Sequence, residues 1–193
     1  MSQLIAEDIT YNQVKRLTNQ LLEESDCLEL PINIEKLYNY LGVNFILCDD
    51  LPDNVDSFLQ MNFSNILVNE KMFFKDSLQK RMRFSIAHEL GHFILHRRLV
   101  NFSTFDTYER YYDFFINLNT YEYYKIEKQA DLFASLILVP DDLLQSEFNK
   151  LHRKYESPKE YFIIEQLSNI FEVSKEVIKI KLKSIDGGVM KWF

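Results

Sequence analysis

Residues 84–96 of the chain read Phe-Ser-Ile-Ala-His-Glu-Leu-Gly-His-Phe-Ile-Leu-His and follow the periodicity of a helix. The stretch contains the pattern His-Glu-x-x-His. Because four residues make about one helical turn, His88 and His92 project from the same face and can bind one metal ion. Glu89 lies about 100° around the helix from His88, close enough to act on a water molecule without being a metal ligand. The stretch therefore predicts a metal site with a catalytic carboxylate beside it.

The predicted metal helix separates polar from apolar side chains. Its polar side carries Arg81, Ser85, His88, Glu89, His92 and His96. Its apolar side carries Met82, Ile86, Ala87, Leu90, Phe93 and Ile94. Three of the four histidines of the chain fall on the polar stripe, which argues against a surface helix with two chance histidines. Gly91 costs about 1 kcal/mol in a helix interior relative to Ala, so it indicates close packing or a constraint from the metal site.

The composition is that of a single-domain globular protein of 193 residues, with at most a small appendage. No segment approaches about 20 uninterrupted apolar residues, and the first residues lack the pattern of a secretory signal. Cys27 and Cys48 are therefore expected to be unpaired thiols in a reducing cytosol. The net charge of −7 disfavours direct binding to nucleic acid or to an anionic membrane. We expect a cytoplasmic protein that acts on another protein.

The remaining pattern predicts an α+β fold that is mainly helical. Helices are predicted over residues 11–24, 32–41, 77–98, 126–139, 158–171 and 175–184. Strands are predicted over residues 43–48, 57–62 and 65–69. Only two residues separate the last two strands, which indicates a hairpin. We therefore expect a small three-stranded antiparallel sheet beside the metal helix, with Asn65–Asn69 as an edge strand that could pair with an extended substrate.

Turn and capping residues define the predicted boundaries. Gly42 ends the second helix as a C-cap residue. Asp76 followed by Gln79 resembles a capping box and starts the metal helix near Ser77. A second capping box, Ser-Pro-Lys-Glu, begins at Ser157. We expect residues 1–156 to form the metal-binding domain, and residues 157–193 to add a helix-turn-helix-like pair and a tail to the same unit.

The metal site needs a third protein ligand, because two histidines leave a tetrahedral zinc incomplete. His96 continues the stripe, but it lies about 12 Å from His88 along an unbroken helix, so we expect it beside the site. Glu127 is the predicted third ligand. Asp131, one turn further on, is predicted to accept the free N–H of a ligating histidine. A solvated salt-bridge face is the alternative explanation for these two carboxylates.

The connection 99–124 carries ten aromatic residues. Core packing on a helix is one explanation, and a mobile cover or docking surface beside the metal site is the other. The candidates for substrate docking are Asn69, Tyr108, Tyr111, Tyr112 and Phe115. The candidates for the residue that stabilises the oxyanion are Tyr123, Tyr124 and His152, and the sequence does not decide between them.

Two motifs in this order resemble the ImmA/IrrE family of metallo-endopeptidases. The first is Arg-Phe-Ser-Ile-Ala-His-Glu-Leu-Gly-His with Leu-His following, over residues 83–96. The second is Ile-Glu-Lys-Gln-Ala-Asp-Leu-Phe-Ala with Leu-Val-Pro following, over residues 126–140. A strand that ends in Val68-Asn69 and a closing helix pair over residues 166–182 are also similar. The resemblance covers residues 31–184, and the connection 99–124 is its least similar part.

The resemblance implies a thermolysin-like core with one zinc ion per chain. It implies that His88, His92 and Glu127 are the zinc ligands and that Glu89 is the general base. The implied substrate is a helix-turn-helix repressor of a mobile element, phage or stress regulon. Two alternatives remain open: a DNA-binding regulator that uses the helices around residues 172–174, and a non-cleaving metal-binding regulator or toxin–antitoxin component.

Overall fold

The computed structural model describes residues 7–60, 63–97, 120–155 and 158–185 of the chain. The helices are α1 (Tyr11–Glu24), α2 (Ile34–Tyr40), α3 (Glu70–Phe73), α4 (Gln79–Gly91), α5 (Thr120–Leu138), α6 (Asp141–Lys154), α7 (Glu160–Ile170) and α8 (Lys175–Ile185). The strands are β1 (Asn44–Cys48), β2 (Ser57–Leu59) and β3 (Asn65–Asn69). A 3₁₀ turn (Asp76–Leu78) precedes α4, and a π-helical segment (His92–His96) follows it. These elements confirm a mainly helical α+β fold with a small three-stranded sheet.

The sheet is mixed, in the order β1-β3-β2. Strands β2 and β3 pair antiparallel, which confirms the predicted hairpin. Strands β1 and β3 pair in parallel, so the prediction of an all-antiparallel sheet is wrong. Between β1 and β3 the chain forms β2, which runs in the opposite direction, so β3 runs in the same direction as β1. Because β3 is the central strand, the prediction that Asn65–Asn69 is an edge strand is also wrong.

The metal helix differs from the prediction at both of its ends. No side chain caps the N-terminus of α4, so the predicted capping box does not form. The Gln79 amide instead donates to the carbonyl of Phe73, and Asp76 begins the 3₁₀ turn. At the other end, the α-helix changes to π-helix from His92 to His96, where a single α-helix to about residue 98 was expected. Such π-helical turns occur frequently at functional sites.

Helix α4 packs closely against α5 in the centre of the core. A Cβ atom added to Gly91 would lie 3.1 Å from the Cα and carbonyl oxygen of Ala130 and from Cβ of Phe133. Ala130 and Phe133 are completely buried. The prediction that Gly91 reflects close packing is therefore confirmed. Since the two helices carry the predicted ligands, this contact brings the halves of the metal site together.

The other helices largely follow the predicted boundaries. Helix α1 has the predicted range, and Gly42 adopts φ +68°, the left-handed conformation that ends α2. Helix α5 begins at Thr120, earlier than predicted. The prediction missed its first turn because the residues there are mostly exposed and show no apolar periodicity. Ser157 lies outside the described residues. Within the described ranges Cys27 and Cys48 are unpaired, as predicted, and no helix combines the length and hydropathy needed to span a bilayer.

The C-terminal helices share the hydrophobic core of the rest of the chain. Ile164, Leu167 and Ile178 are buried in the same cluster as the residues of α1 and α4. Asp141, the first residue of α6, adds a polar connection. It accepts hydrogen bonds from Tyr11 Oη at 2.6 Å and Lys181 Nζ at 2.5 Å, and forms an ion pair with Lys15 Nζ at 3.0 Å. We call these four residues the Asp141 cluster. It links α1, α6 and α8.

Candidate metal centre

The contact between α4 and α5 places three potential metal ligands together. His88 Nε2 and His92 Nε2 lie 2.9 Å apart. Each nitrogen lies 3.4 Å from a carboxylate oxygen of Glu127. The two histidines are one turn apart on α4, and Glu127 comes from α5. Ligand atoms of all three residues lie within 4.8 Å of one another, close enough to hold one metal ion. We call His88, His92 and Glu127 the metal cluster.

The spacing of these atoms fits a tetrahedral ion. Nitrogen and oxygen ligands of zinc lie at about 2.0–2.1 Å from the metal, which places them about 3.3 Å from each other in a tetrahedron. Two imidazoles and one carboxylate also form the donor set of catalytic zinc sites, in which a fourth position stays open for water or substrate. The distances and the chemistry of His88, His92 and Glu127 therefore both suit a metal ion.

Asp131 lies behind His88, on the side away from Glu127. Its Oδ1 atom is 3.0 Å from His88 Nδ1. Burial by itself would lower the pKa of His88, but the hydrogen bonds to Asp131 and Glu127 outweigh burial and raise that pKa to about 10. Burial would raise the pKa of Glu127, yet contacts with His88 and His92 hold it well below its usual range. The metal-free cluster thus carries a proton on His88 that a metal ion would displace.

Glu89 lies between the metal ligands and the edge of the sheet. The side chain is buried, and its Oε2 atom accepts a hydrogen bond of 2.9 Å from the backbone amide of Leu59 in β2. Burial raises the pKa of Glu89, although the charges of His92 and His88 oppose the change. No sequence signal could identify Leu59, because any residue except proline supplies a backbone amide. The carboxylate is therefore held beside the site by an edge strand.

His96 contacts His92, the second of the two histidines in the candidate ligand set. Its Nδ1 atom is 3.0 Å from Nδ1 of His92, and its Nε2 atom is 2.9 Å from Oε1 of Gln129. His96 therefore lies beside the site, although the π-helical turn means that the unbroken α-helix assumed for it is not present. Burial and the neighbouring His92 lower the pKa of His96 to about 3. Gln129 was not predicted as a site residue. Its one signal in the sequence is an uncharged amide two residues after Glu127.

Asn69 is the one predicted docking residue within the described part of the chain. Asn69 is completely buried, and its amide donates to the carbonyls of Pro52 and Val55 at 3.1 and 3.0 Å. Its side-chain oxygen Oδ1 accepts a hydrogen bond from the backbone amide of Lys71 at the start of α3. Asn69 thus holds a loop and caps a helix, and the prediction that it docks a substrate is wrong. The other four predicted residues lie outside the described residues: Tyr108, Tyr111, Tyr112 and Phe115.

Two known proteins are similar to this chain over about half of their own length. A solved structure named Mycobacterium tuberculosis transcriptional regulator has a TM-score of 0.57 at 16% identity, over 89% of this chain and 46% of that chain. At this identity it shows a shared fold. The chain is also 31% identical over 106 residues to Metallopeptidase ImmA of Bacillus subtilis (strain 168), a match that covers 55% of this chain and 52% of that protein. The chain thus spans about half the length of this curated relative.

The strongest finding is a match over most of the chain. The model of a peptidase family, described as IrrE N-terminal-like domain, matches residues 39–183. This range includes both ligand helices, the edge strand beside Glu89 and the C-terminal helices. The chain therefore belongs to the ImmA/IrrE family of metallopeptidases.

Proposed function

We propose that the chain is a zinc-dependent endopeptidase that hydrolyses a peptide bond in a specific protein substrate. One observation carries the proposal: a buried carboxylate, Glu89, adjoins a cluster of two imidazoles and one carboxylate. Members of a metallopeptidase family need both parts, a metal to polarise the peptide and a base to activate water. Strand β2 lies directly beside Glu89 at the edge of the sheet, and an extended peptide that pairs with this strand would lie next to the carboxylate.

Each site residue takes a defined part in this proposal. His88, His92 and Glu127 hold one zinc ion per chain, and Asp131 accepts the Nδ1 proton of His88. Bound zinc supplies Lewis acidity, which polarises the scissile carbonyl and lowers the pKa of water. Glu89 takes the proton of the attacking water and delivers it to the leaving amine. The amide of Leu59 keeps the Glu89 carboxylate on the side where the substrate enters.

The proposed substrate is a helix-turn-helix repressor in the cytoplasm, encoded by a mobile element, a phage or a stress regulon. The resemblance to the ImmA/IrrE family supports this class. The charge of −7 also favours a basic, DNA-binding partner. Direct DNA binding is disfavoured because three of the four lysines of α8 form ion pairs: Lys175 with Glu165, Lys179 with Glu176, and Lys181 with Asp141.

The variant Glu89→Gln tests the proposal, because it keeps the shape of the side chain and removes the base. We expect cleavage of a candidate repressor to slow by about 10²–10⁴-fold, the usual contribution of general acid–base catalysis. Zinc content should stay unchanged, as measured by metal analysis of the purified chain. Equal cleavage rates for wild type and variant would refute the mechanism. Wild-type zinc content with no cleavage of any candidate repressor would favour a non-cleaving regulator.

A further inference from the structure

A line of hydrogen bonds runs from the second histidine ligand to the N-terminal segment. His92 Nδ1 and His96 Nδ1 lie 3.0 Å apart, and His96 Nε2 lies 2.9 Å from Gln129 Oε1. Gln129 Nε2 then donates to the backbone carbonyl of Glu7 at 2.8 Å. His92, His96 and Gln129 are buried. The four residues come from three separate parts of the chain, so their alignment is a product of the tertiary fold.

The carbonyl of Glu7 determines the direction of every bond in this line. A carbonyl can only accept, so the amide nitrogen of Gln129 faces Glu7 and its oxygen faces His96. That oxygen can also only accept, so Nε2 of His96 carries a proton. In a neutral ring Nδ1 of His96 is then an acceptor, and Nδ1 of His92 must donate to it. His92 is left with an unprotonated Nε2, the form in which imidazole binds a metal.

The other tautomer of His92 does not fit these contacts. With its proton on Nε2, His92 would present an unprotonated Nδ1 to the unprotonated Nδ1 of His96. Two acceptors would then face each other at 3.0 Å in a buried site, which costs free energy because neither nitrogen is satisfied. His92 Nε2 points instead to the atoms of the metal cluster, 2.9 Å from His88 Nε2 and 3.4 Å from Glu127 Oε1.

We propose that Gln129 and His96 are positioning residues that hold His92 in the tautomer required for zinc binding. The inference rests on the zinc centre proposed above and names how its second ligand is prepared. The two histidine ligands are then oriented by different means. A carboxylate, Asp131, orients His88. The uncharged line of hydrogen bonds from Glu7 through Gln129 and His96, which we call the relay, orients His92. An uncharged relay avoids a further buried negative charge beside Glu89 and Glu127.

The relay also makes the N-terminal segment part of the metal centre. Residues 7–10 precede α1 and contact α5 at two positions one turn apart. Asp8 forms an ion pair with Lys125, and the carbonyl of Glu7 accepts from Gln129. The contact at Gln129 fixes the orientation of the amide, which a glutamine alone cannot do because its two ends are similar in size. Docking of this segment therefore sets the direction of the relay.

Zinc affinity of the full chain, measured by competition with a chromophoric chelator, tests the relay. Gln129→Met keeps an unbranched side chain of similar length but removes both hydrogen bonds. We expect zinc to bind about 10- to 100-fold more weakly, the range found for outer partners of metal-ligating histidines. Ser135→Ala is the matched control: it removes a buried hydrogen bond, to the carbonyl of Leu132, from the same helix. Because Ser135 lies about 12 Å along α5 from Glu127, we expect no more than about a twofold change.

Long-range proton–nitrogen NMR spectra of the wild-type chain provide a measurement that needs no substitution. With zinc bound, we expect His96 to show the Nε2–H tautomer and His92 the Nδ1–H tautomer. A proton on Nδ1 of His96 would overturn the relay, as would wild-type zinc affinity in Gln129→Met. A wild-type chain that binds no zinc would instead refute the proposed zinc centre. The two failures are therefore distinguishable.

Discussion

The metal cluster and the Asp141 cluster contain similar groups but have different chemical capacities. In each, a partly buried carboxylate lies between two nitrogen-bearing side chains: Glu127 between His88 and His92, and Asp141 between Lys15 and Lys181. A neutral imidazole offers a lone pair to a metal, whereas a lysine ammonium has only protons to donate. The first cluster can therefore exchange a proton for a metal ion, and the second acts as a connection between helices. Burial and charge alone do not distinguish a functional cluster from a structural one.

Burial by itself would lower the pKa of His88 in one cluster and of Lys181 in the other, but the hydrogen-bond partners outweigh burial at His88 and not at Lys181. In the Asp141 cluster, burial lowers the pKa of Lys181, although the charge of Asp141 opposes the change. At Asp141 the balance is reversed. Burial would raise the pKa of Asp141, but the charge of Lys181 and the hydrogen bond from Tyr11 hold that pKa below its usual range. Lys181 is completely buried. Its ammonium group is neutralised by the Asp141 carboxylate, which also contacts Lys15.

The variant Asp141→Asn should have the largest effect on stability. It removes the carboxylate that neutralises the completely buried Lys181, and breaking a buried ion pair from one side costs about 3–5 kcal/mol. We expect a decrease in unfolding free energy near the low end of that range, because Lys181 can lose its proton. Denaturant titration of the metal-free chain measures it. Zinc affinity should be unchanged, since Asp141 has no contact with the ligands.

Lys181→Met is the matched control for that variant. It removes the buried charge and keeps the volume, while Asp141 still contacts Lys15 and Tyr11. We expect a loss below about 2 kcal/mol, because replacing a buried ion by an apolar group of similar size is often nearly neutral. Equal losses for the two variants would contradict the view that the buried ammonium, once its carboxylate is removed, causes the loss in Asp141→Asn.

Glu127→Ala removes the carboxylate of the metal cluster. Zinc binding to protein sites is worth about 10 kcal/mol or more, so one of three ligands contributes about 3 kcal/mol, which exceeds 100-fold in Kd. We expect zinc affinity to fall at least that far, measured by chelator competition. The drop should exceed that of Gln129→Met, which leaves all three ligands in place. Full metal retention would remove Glu127 from the proposed ligand set.

Gly91→Ala tests how the packing of the core positions the metal cluster. The new Cβ would lie 3.1 Å from backbone atoms of Ala130, which is buried in α5 and cannot move alone. Overpacking costs about 1–3 kcal/mol, and the better helix propensity of Ala returns about 1 kcal/mol. We therefore expect a net loss of about 1 kcal/mol in thermal or denaturant unfolding. Zinc affinity should fall as well, because α5 carries Glu127.

The pH dependence of zinc binding reports the protonation of His88 in the metal-free chain. The pKa of His88 is raised to about 10 in the metal-free chain, so zinc must displace a proton throughout the neutral range. Affinity should rise about tenfold for each pH unit between pH 7 and 9, with release of about one proton. Calorimetry in buffers of different ionisation enthalpy counts that proton. Zinc binding without proton release would mean that His88 is already neutral before the metal enters.

The sequence identified the features that depend on local spacing. One helical turn separates His88 from His92, and one turn separates Glu127 from Asp131, so each pair shares a face in any helix. Gly91 indicated close packing because its cost in a helix needs compensation. The paired motifs also indicated the family, which the match over residues 39–183 establishes. These features follow from neighbours in the chain and need no knowledge of the fold.

Only the tertiary structure decided the features that depend on contacts between distant segments. The parallel pairing of β1 with β3 follows from the path of the chain between them, and the buried Asn69 hydrogen-bonds to the carbonyls of Pro52 and Val55 in the preceding loop. The bond from Leu59 to Glu89 uses a backbone amide, which every residue type except proline provides. The relay through Gln129 needs a carbonyl from residue 7. The physical reason is the same throughout: hydrogen bonds over long sequence separations depend on where the packed core places each group, and helical or strand periodicity carries no information about that position.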